Sequence, residues 1–280
     1  MMASTSRALS DEFTSWGSSA IEPLLNLLNH KHITVRRYAI EILGHIGDSR
    51  VIDPLTELSQ TDEQVSDSAI RALQKRGSEA VPSLIKIAES GDTSAISSLG
   101  FMGDPRALAP FTLFLEDDNK KVCAASITGF GNLHHENVKI PESVVEKLIN
   151  LIDSQDKEIR ETTITVLGQI GAIQAVEPII EFLEITIKDE EILDWDNPNH
   201  YSYQYAIRAL GNIGDKRALD ILLKVPNKHY SEVDAVFYAL GDLGDKRAVA
   251  PLLKILEKEK DPSILNSITQ ALQKLGHEVE

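Results

Sequence analysis

Tyr205-Ala206-Ile207-Arg208-Ala209-Leu210-Gly211-Asn212-Ile213-Gly214-Asp215-Lys216-Arg217-Ala218 is one copy of a unit that recurs along the whole chain. Its core reads small–apolar–x–x–apolar–Gly. The core returns as AIEILG from Ala39, AIRALQ from Ala69, AISSLG from Ala95 and SITGFG from Ser126. TITVLG from Thr163, VFYALG from Val236 and ITQALQ from Ile268 complete the series. The eight copies start 26 to 43 residues apart, the period range of helical-repeat solenoids. A length of 280 residues would otherwise suggest about two globular domains. Stacked repeats override that expectation, because they grow by addition rather than by enlarging one core.

Each copy closes a two-helix unit. In the first, apolar residues at i, i+3, i+4 and i+7 predict helices over 20–29 and 34–45, with Val35, Ala39, Leu43 and Ile46 as the buried stripe of the second. Gly47 supplies the left-handed residue that ends this helix, and Asp48 is placed to cap the next one. The same punctuation returns at Gly103-Asp104, Gly214-Asp215 and Gly244-Asp245, with weaker forms at Gly77-Ser78 and Gly171-Ala172. Pro23, Pro54, Pro82, Pro110, Pro178 and Pro251 fall in the opening turns of the first helices, where a missing N–H is tolerated. Further repeats are expected over 51–76, 80–102, 105–133, 141–170, 173–213, 216–243 and 246–275. The third is short, with a truncated second helix expected. The fourth replaces Gly-Asp by His134-His135 and adds a loop to Pro141. The sixth carries an insertion, and the seventh and eighth read as regular. The expected fold is all-α: a right-handed α-solenoid of about eight helix pairs over 19–280, after a partly ordered lead-in over 1–18.

Composition narrows the function classes. There are 43 acidic against 28 basic residues, a formal charge of −15. That balance argues against non-specific binding to nucleic acid or to an anionic membrane, both of which need a basic field. One cysteine, Cys123, cannot form an internal disulfide and sits among Val122, Ala124 and Ala125 as a small core residue. No basic-then-apolar leader and no membrane-length apolar run is present, so a cytoplasmic or stromal location is expected.

The extended pattern D-x-x-V-R-x-x-A-I-x-x-L-G-x-I-G-D-x-R-A, best preserved over 204–218 and 234–250, resembles the HEAT-like repeat of phycobilisome lyases. The resemblance runs over roughly 20–276. It implies a helical-repeat fold used as a scaffold, as a chaperone for tetrapyrrole attachment or, in a few branches, as an enzyme. Among these branches the E/F-type phycobilin lyases are similar in size, acidic balance and short repeats. That branch implies a bilin as bound substrate, and a phycobiliprotein subunit or a second HEAT-repeat subunit as partner.

Binding residues are expected on the second helices, which line the concave face of such a stack. Helix spacing places Arg37, Glu41 and His45 there in the first repeat and Asp67, Arg71 and Lys75 in the second. In the sixth it places Tyr201, Gln204, Tyr205, Arg208 and Asn212, and in the seventh Asp234, Tyr238 and Asp242. Tyrosines with Arg and Asp suit a flat conjugated ligand or a partner helix. Packing between helices is the competing account of the same tyrosines. The insertion over 188–203 (KDEEILDWDNPNHYSY) adds Trp195, His200, Tyr201 and Tyr203 among carboxylates, and inserted loops often emerge on the binding face. The candidate ligand- or partner-binding set is therefore Trp195, His200, Tyr201, Tyr205, Arg208, Asp234, Tyr238 and Asp242. On the bilin reading, Arg208 would pair a propionate while Asp234 or Asp242 holds the pyrrole nitrogens.

No catalytic residue is assigned: G-x-S-x-G, P-loop and G-x-G-x-x-G patterns are all absent. No metal site is assigned either. The chain is similar in architecture to deoxyhypusine hydroxylase, whose di-iron centre uses several His-Glu pairs on separate repeats, but His135-Glu136 sits in a repeat-terminal loop and a di-iron site is not expected. Two functions stay open: a protein-binding scaffold without a cofactor, and a bilin lyase subunit or bilin chaperone. An alkyl-base DNA glycosylase would need a basic groove, against the −15 balance.

Overall fold

A computed structural model describes residues 17–188, 202–225 and 230–278, with side chains described throughout except at 230–233. The chain divides into two compact units, Met1–Lys139 and Ile140–Glu280. All regular structure among the described residues is helical, arranged as the helix pairs of an α-solenoid.

The first unit holds α1 (Ile21–Leu27), α2 (Ile33–Ile46), α3 (Ile52–Thr61), α4 (Ser66–Lys75), α5 (Val81–Ala88), α6 (Thr93–Met102), α7 (Leu108–Phe114) and α8 (Lys120–His135). Each odd-numbered helix packs on the even one after it, and the even helices stack in order α2–α4–α6–α8. Ala39 and Leu43 are buried as the stripe requires, joined by Ile40 and Ile42, while Val35 and Ile46 are half-buried. Phe111 and Phe130 meet edge to face in this core, with centroids 5.8 Å apart. Gly129 has no room for a side chain, because a Cβ there would enter the Phe111 ring. The second helix of the third repeat, α6, has ten residues, as many as α4, so it is not truncated.

The second unit holds α9 (Glu142–Ile149), α10 (Lys157–Gln169), α11 (Val176–Lys188), α12 (Ser202–Ile213), α13 (Leu219–Leu222), α14 (Tyr230–Leu243), α15 (Val249–Leu256) and α16 (Pro262–Lys274). Here the even helices stack as α10–α12–α14–α16. The seventh repeat departs from regularity, since α13 has only four residues. Val225 precedes Pro226, and a residue before proline is pushed out of the helical region, so the helix cannot run on. Tyr203, expected in the inserted loop, is instead a fully buried residue in the first turn of α12.

The Gly-Asp-x-Arg punctuation has a definite mechanical role. Asp104 Oδ1 accepts the backbone N–H of Arg106 at 3.0 Å, capping the 3-10 turn before α7. The Arg106 guanidinium folds back on the same carboxylate, Nη2 to Oδ2 2.6 Å, and donates to the Ser78 carbonyl of the preceding repeat at 2.7 Å. Arg217 repeats this on Asp215 and reaches Ile173 O at 3.3 Å and Glu177 Oε1 at 3.0 Å. Arg50 makes the corresponding clamp on Asp48, with Ser18 O at 3.5 Å, and Arg247 pairs Asp245. The motif thus ends one repeat, starts the next and, at its first three occurrences, ties a repeat to the one before. At the fourth repeat, where His134-His135 replaces Gly-Asp, Asn137 takes the left-handed position with φ 65°, and the boundary between the units comes two residues later.

Small residues set the spacing of the even helices. A Cβ built on Gly44 would lie 2.9 Å from Ala72 Cβ, one on Gly168 would lie 2.7 Å from Ala209 Cα, and one on Gly211 would lie 2.7 Å from Ala239 Cα. In these pairs the last residue of one core motif seats against the fourth residue of the next copy.

Candidate functional site

On α12, Ala206, Ile207, Ala209, Leu210 and Gly211 are buried, while Tyr205, Arg208 and Asn212 form an exposed i, i+3, i+7 row. Tyr238 and Asp242 make the matching exposed row on α14, with Asp234 half-buried at its N-terminal end. Tyr205 and Tyr238 are 37% and 42% exposed, high for tyrosines that only fill space between helices. The structure thus brings together Tyr205, Arg208, Asp234, Tyr238 and Asp242 on consecutive stacked helices. Trp195, His200 and Tyr201 lie outside the described residues. Gln204, expected in the same row, is buried, because it sits one helix position, about 100°, away from the exposed Tyr205.

Contacts separate these residues. Asp234 Oδ1 accepts from Ser267 Oγ on α16 at 2.5 Å. The same rung joins Asp67 to Ser94 at 2.8 Å and Glu161 to Ser202 at 2.5 Å, so it belongs to the repeat rather than to a local site. Asp242 is bound to Lys274 Nζ at 2.5 Å, and that ammonium stands 5.7 Å from the Tyr238 ring centroid. Lys274 is absent from the residues that sequence reasoning selects. Its place in the eighth copy, six residues after Ile268, matches that of Asp242 in the seventh and is the signal that finds it.

Arg208 is different. It has no hydrogen bond or ion pair to any described residue, whereas Arg36, Arg50, Arg76, Arg106, Arg217 and Arg247 each hold a carboxylate. Arg37 and Arg71 share its freedom from ion pairs to described residues, and both also lie on even helices.

Beside the start of α12, a cavity of about 360 Å³ opens among Ile152, Arg160, Phe182, Ile185, Thr186 and Ser202. Ile185 is 71% exposed there. Cys123 is buried with its thiol directed at the Leu115 carbonyl, 3.4 Å away, and is in no position to act as a nucleophile. Among the described residues no group of three or more His, Cys, Asp or Glu is placed to hold a metal ion; His134 and His135 are both exposed. No described helix is long and apolar enough to cross a membrane.

Comparison with known families decides the assignment. The family model for HEAT repeats matches residues 7–74, 21–97 and 190–273, well over half of the chain. The chain belongs to the HEAT-repeat family. A second model, the PBS lyase HEAT-like repeat, matches residues 159–184, the region of α10 and most of α11. No curated protein matches the chain. Among solved structures, the E. coli protein YibA is 19% identical over 97% of each chain, with a TM-score of 0.59. Kap95p, in a structure describing its binding to RanGDP, is 14% identical, with a TM-score of 0.62; the match covers 96% of this chain and 42% of that one. Matches extend to 213 chains, and at these identities they show the HEAT-repeat fold alone.

Proposed function

We propose that this HEAT-repeat protein is a non-catalytic scaffold whose second unit captures a partner protein on the exposed rows of α12 and α14. The observation that carries the reading is Arg208: exposed, without an ion pair to any described residue, and flanked by Tyr205 and Tyr238. Arg and Tyr are the residue types that dominate interface energetics, because each combines a large rigid contact area with a polar group. Tyr238 under Lys274 and Asp242 gives this patch a flat ring rimmed by both signs of charge, suited to a helix or loop with mixed polarity. Asp234 supports the patch through its rung to Ser267 rather than by offering a free carboxylate.

The test compares the wild type with Arg208→Gln and Tyr238→Ala by isotope-labelled affinity enrichment, then titrates the captured partner in purified form. Each substitution is expected to weaken binding by about 30-fold, the effect of a residue contributing about 2 kcal/mol at an interface. Far-UV circular dichroism and the melting temperature should stay close to wild type, because both side chains are exposed. Variants that unfold, or that bind as well as wild type, would show the patch to be packing only.

A second reading, tetrapyrrole handling, is favoured by the PBS lyase-type repeat at 159–184. Arg208 would then pair a bilin propionate, and the tyrosines would stack on the conjugated rings. Asp234 and Asp242 already hold Ser267 and Lys274, so the pyrrole nitrogens would need one of those bonds to open. Co-expression with a bilin-producing system tests this. A red-absorbing chromophore that co-purifies with wild type and is lost in Arg208→Ala supports it; a colourless protein removes it.

A further inference from the structure

The first unit carries a separate cluster that the repeat architecture does not use. A groove of about 290 Å³ runs between α2 and α4, lined by Arg37, Glu41, Ser68, Arg71, Ala72 and Lys75. Its floor is Ala72, kept low by the close seat of Gly44 on it, and its walls are long charged side chains. Three cations face one carboxylate in a protein that is otherwise strongly acidic. None of the three forms an ion pair with a described residue. Arg37 donates to the Gln64 carbonyl at 3.2 Å, Arg71 approaches Ser68 Oγ at 3.5 Å, and Lys75 Nζ lies 3.0 Å from His45 Nε2. These contacts hold the side chains in position without neutralising them. His45 is itself fixed, its Nδ1 2.8 Å from Glu41 O, which directs Nε2 toward the lysine as an acceptor.

We infer that this groove is a docking site for an acidic peptide segment of a partner protein, with Arg37 and Arg71 each taking a side-chain carboxylate and Lys75 adding a third positive contact. This rests on reading the chain as a protein-binding scaffold, but the site is distinct from the Arg208 patch. Guanidinium matches carboxylate geometry through paired N–H donors, and Arg71 and Lys75 are i, i+4 neighbours on one helix face. The overall charge of −15 does not forbid the contact, because charges beyond about 10 Å are screened at ordinary ionic strength and the local excess is positive. A nucleic-acid backbone is a poorer match. Its evenly spaced phosphates would run past Glu41 in the groove and the exposed Asp67 beside it, and no extended basic track continues along the stack among the described residues.

The test is fluorescence anisotropy on the full chain with labelled hexaglutamate, using hexaglutamine, inorganic phosphate and a short DNA duplex as competitors. Hexaglutamate should bind, weaken with added salt, and resist displacement by hexaglutamine. Arg37→Gln and Arg71→Gln should each reduce affinity by about tenfold, the scale of one lost charge-assisted contact. Glu41→Gln should tighten binding, since it removes the opposing charge; a gain cannot come from unfolding. Arg208→Gln should leave hexaglutamate binding unchanged, so failure here and failure of the second-unit patch give different patterns. The inference is overturned if hexaglutamine competes equally, if Arg71→Gln binds like wild type, if Glu41→Gln weakens binding, or if phosphate or the duplex outcompetes the peptide.

Discussion

Gly211→Ala destabilises the chain by about 1–3 kcal/mol, the cost of forcing extra volume into a packed contact. The new methyl would sit 2.7 Å from Ala239 Cα and 2.9 Å from its Cβ, so α12 and α14 must separate or tilt. At about 2–4 °C per kcal/mol for a chain of this size, thermal unfolding should show a clear downward shift. The response to a second substitution is diagnostic. At Gly44 the nearest obstacle is the Ala72 side chain, Cβ at 2.9 Å against Cα at 3.1 Å, so Ala72→Gly should recover part of the loss caused by Gly44→Ala. At Gly211 the nearest obstacle is backbone, so Ala239→Gly should recover little. A double-mutant cycle on each pair measures the difference. Equal coupling at the two sites would mean that the helices move apart freely and that the Gly–Ala seat does not set their spacing.

The second large effect is expected in acid, through the Asp–Arg clamps. Asp48, Asp104, Asp215 and Asp245 each accept a side-chain and a backbone hydrogen bond from the arginine two residues on. These bonds hold all four carboxyls below the usual aspartate range, Asp245 down to about 2. A depressed carboxylate contributes stability that is complete above its unfolded value of about 3.9 and is lost as pH falls through the folded value. Urea midpoints should therefore hold steady at and above pH ~5 and fall between pH ~4 and ~2. Asp104→Asn with Asp215→Asn should be less stable at neutral pH. Asparagine still offers a capping oxygen to the backbone N–H, so what is lost is the exposed Asp–Arg ion pair, up to about 1 kcal/mol at each site. The same variant should also show a shallower acid slope, because fewer protons are taken up on unfolding. An unchanged slope would place the acid sensitivity elsewhere among the 43 acidic residues.

The sequence alone determined the repeat. A core of buried small and aliphatic residues every 26 to 43 positions, ended by left-handed glycines such as Gly47 and Gly103, can satisfy its apolar faces only by stacking helix pairs. The exposed rows were also legible, because helix periodicity separates Tyr205, Arg208 and Tyr238 from the buried Ala206, Ile207 and Phe237 without reference to neighbours. Where local rules compete, the sequence was less clear. The length of α13 turned on Pro226 cutting off an apolar run, and Tyr203 joined the core because α12 starts earlier than the loop-like composition suggests. Only the tertiary structure could say which charges are spoken for. Arg106 and Arg208 are the same residue type in the same family of repeats, yet one is closed onto Asp104 and Ser78 and the other meets no described carboxylate. Likewise Asp234 is a rung to Ser267, and Arg37, Arg71 and Lys75 become one groove only when α2 lies beside α4. Pairing across repeats joins residues about thirty positions apart, and it is settled by the packing distance between helices rather than by the order of residues along either one.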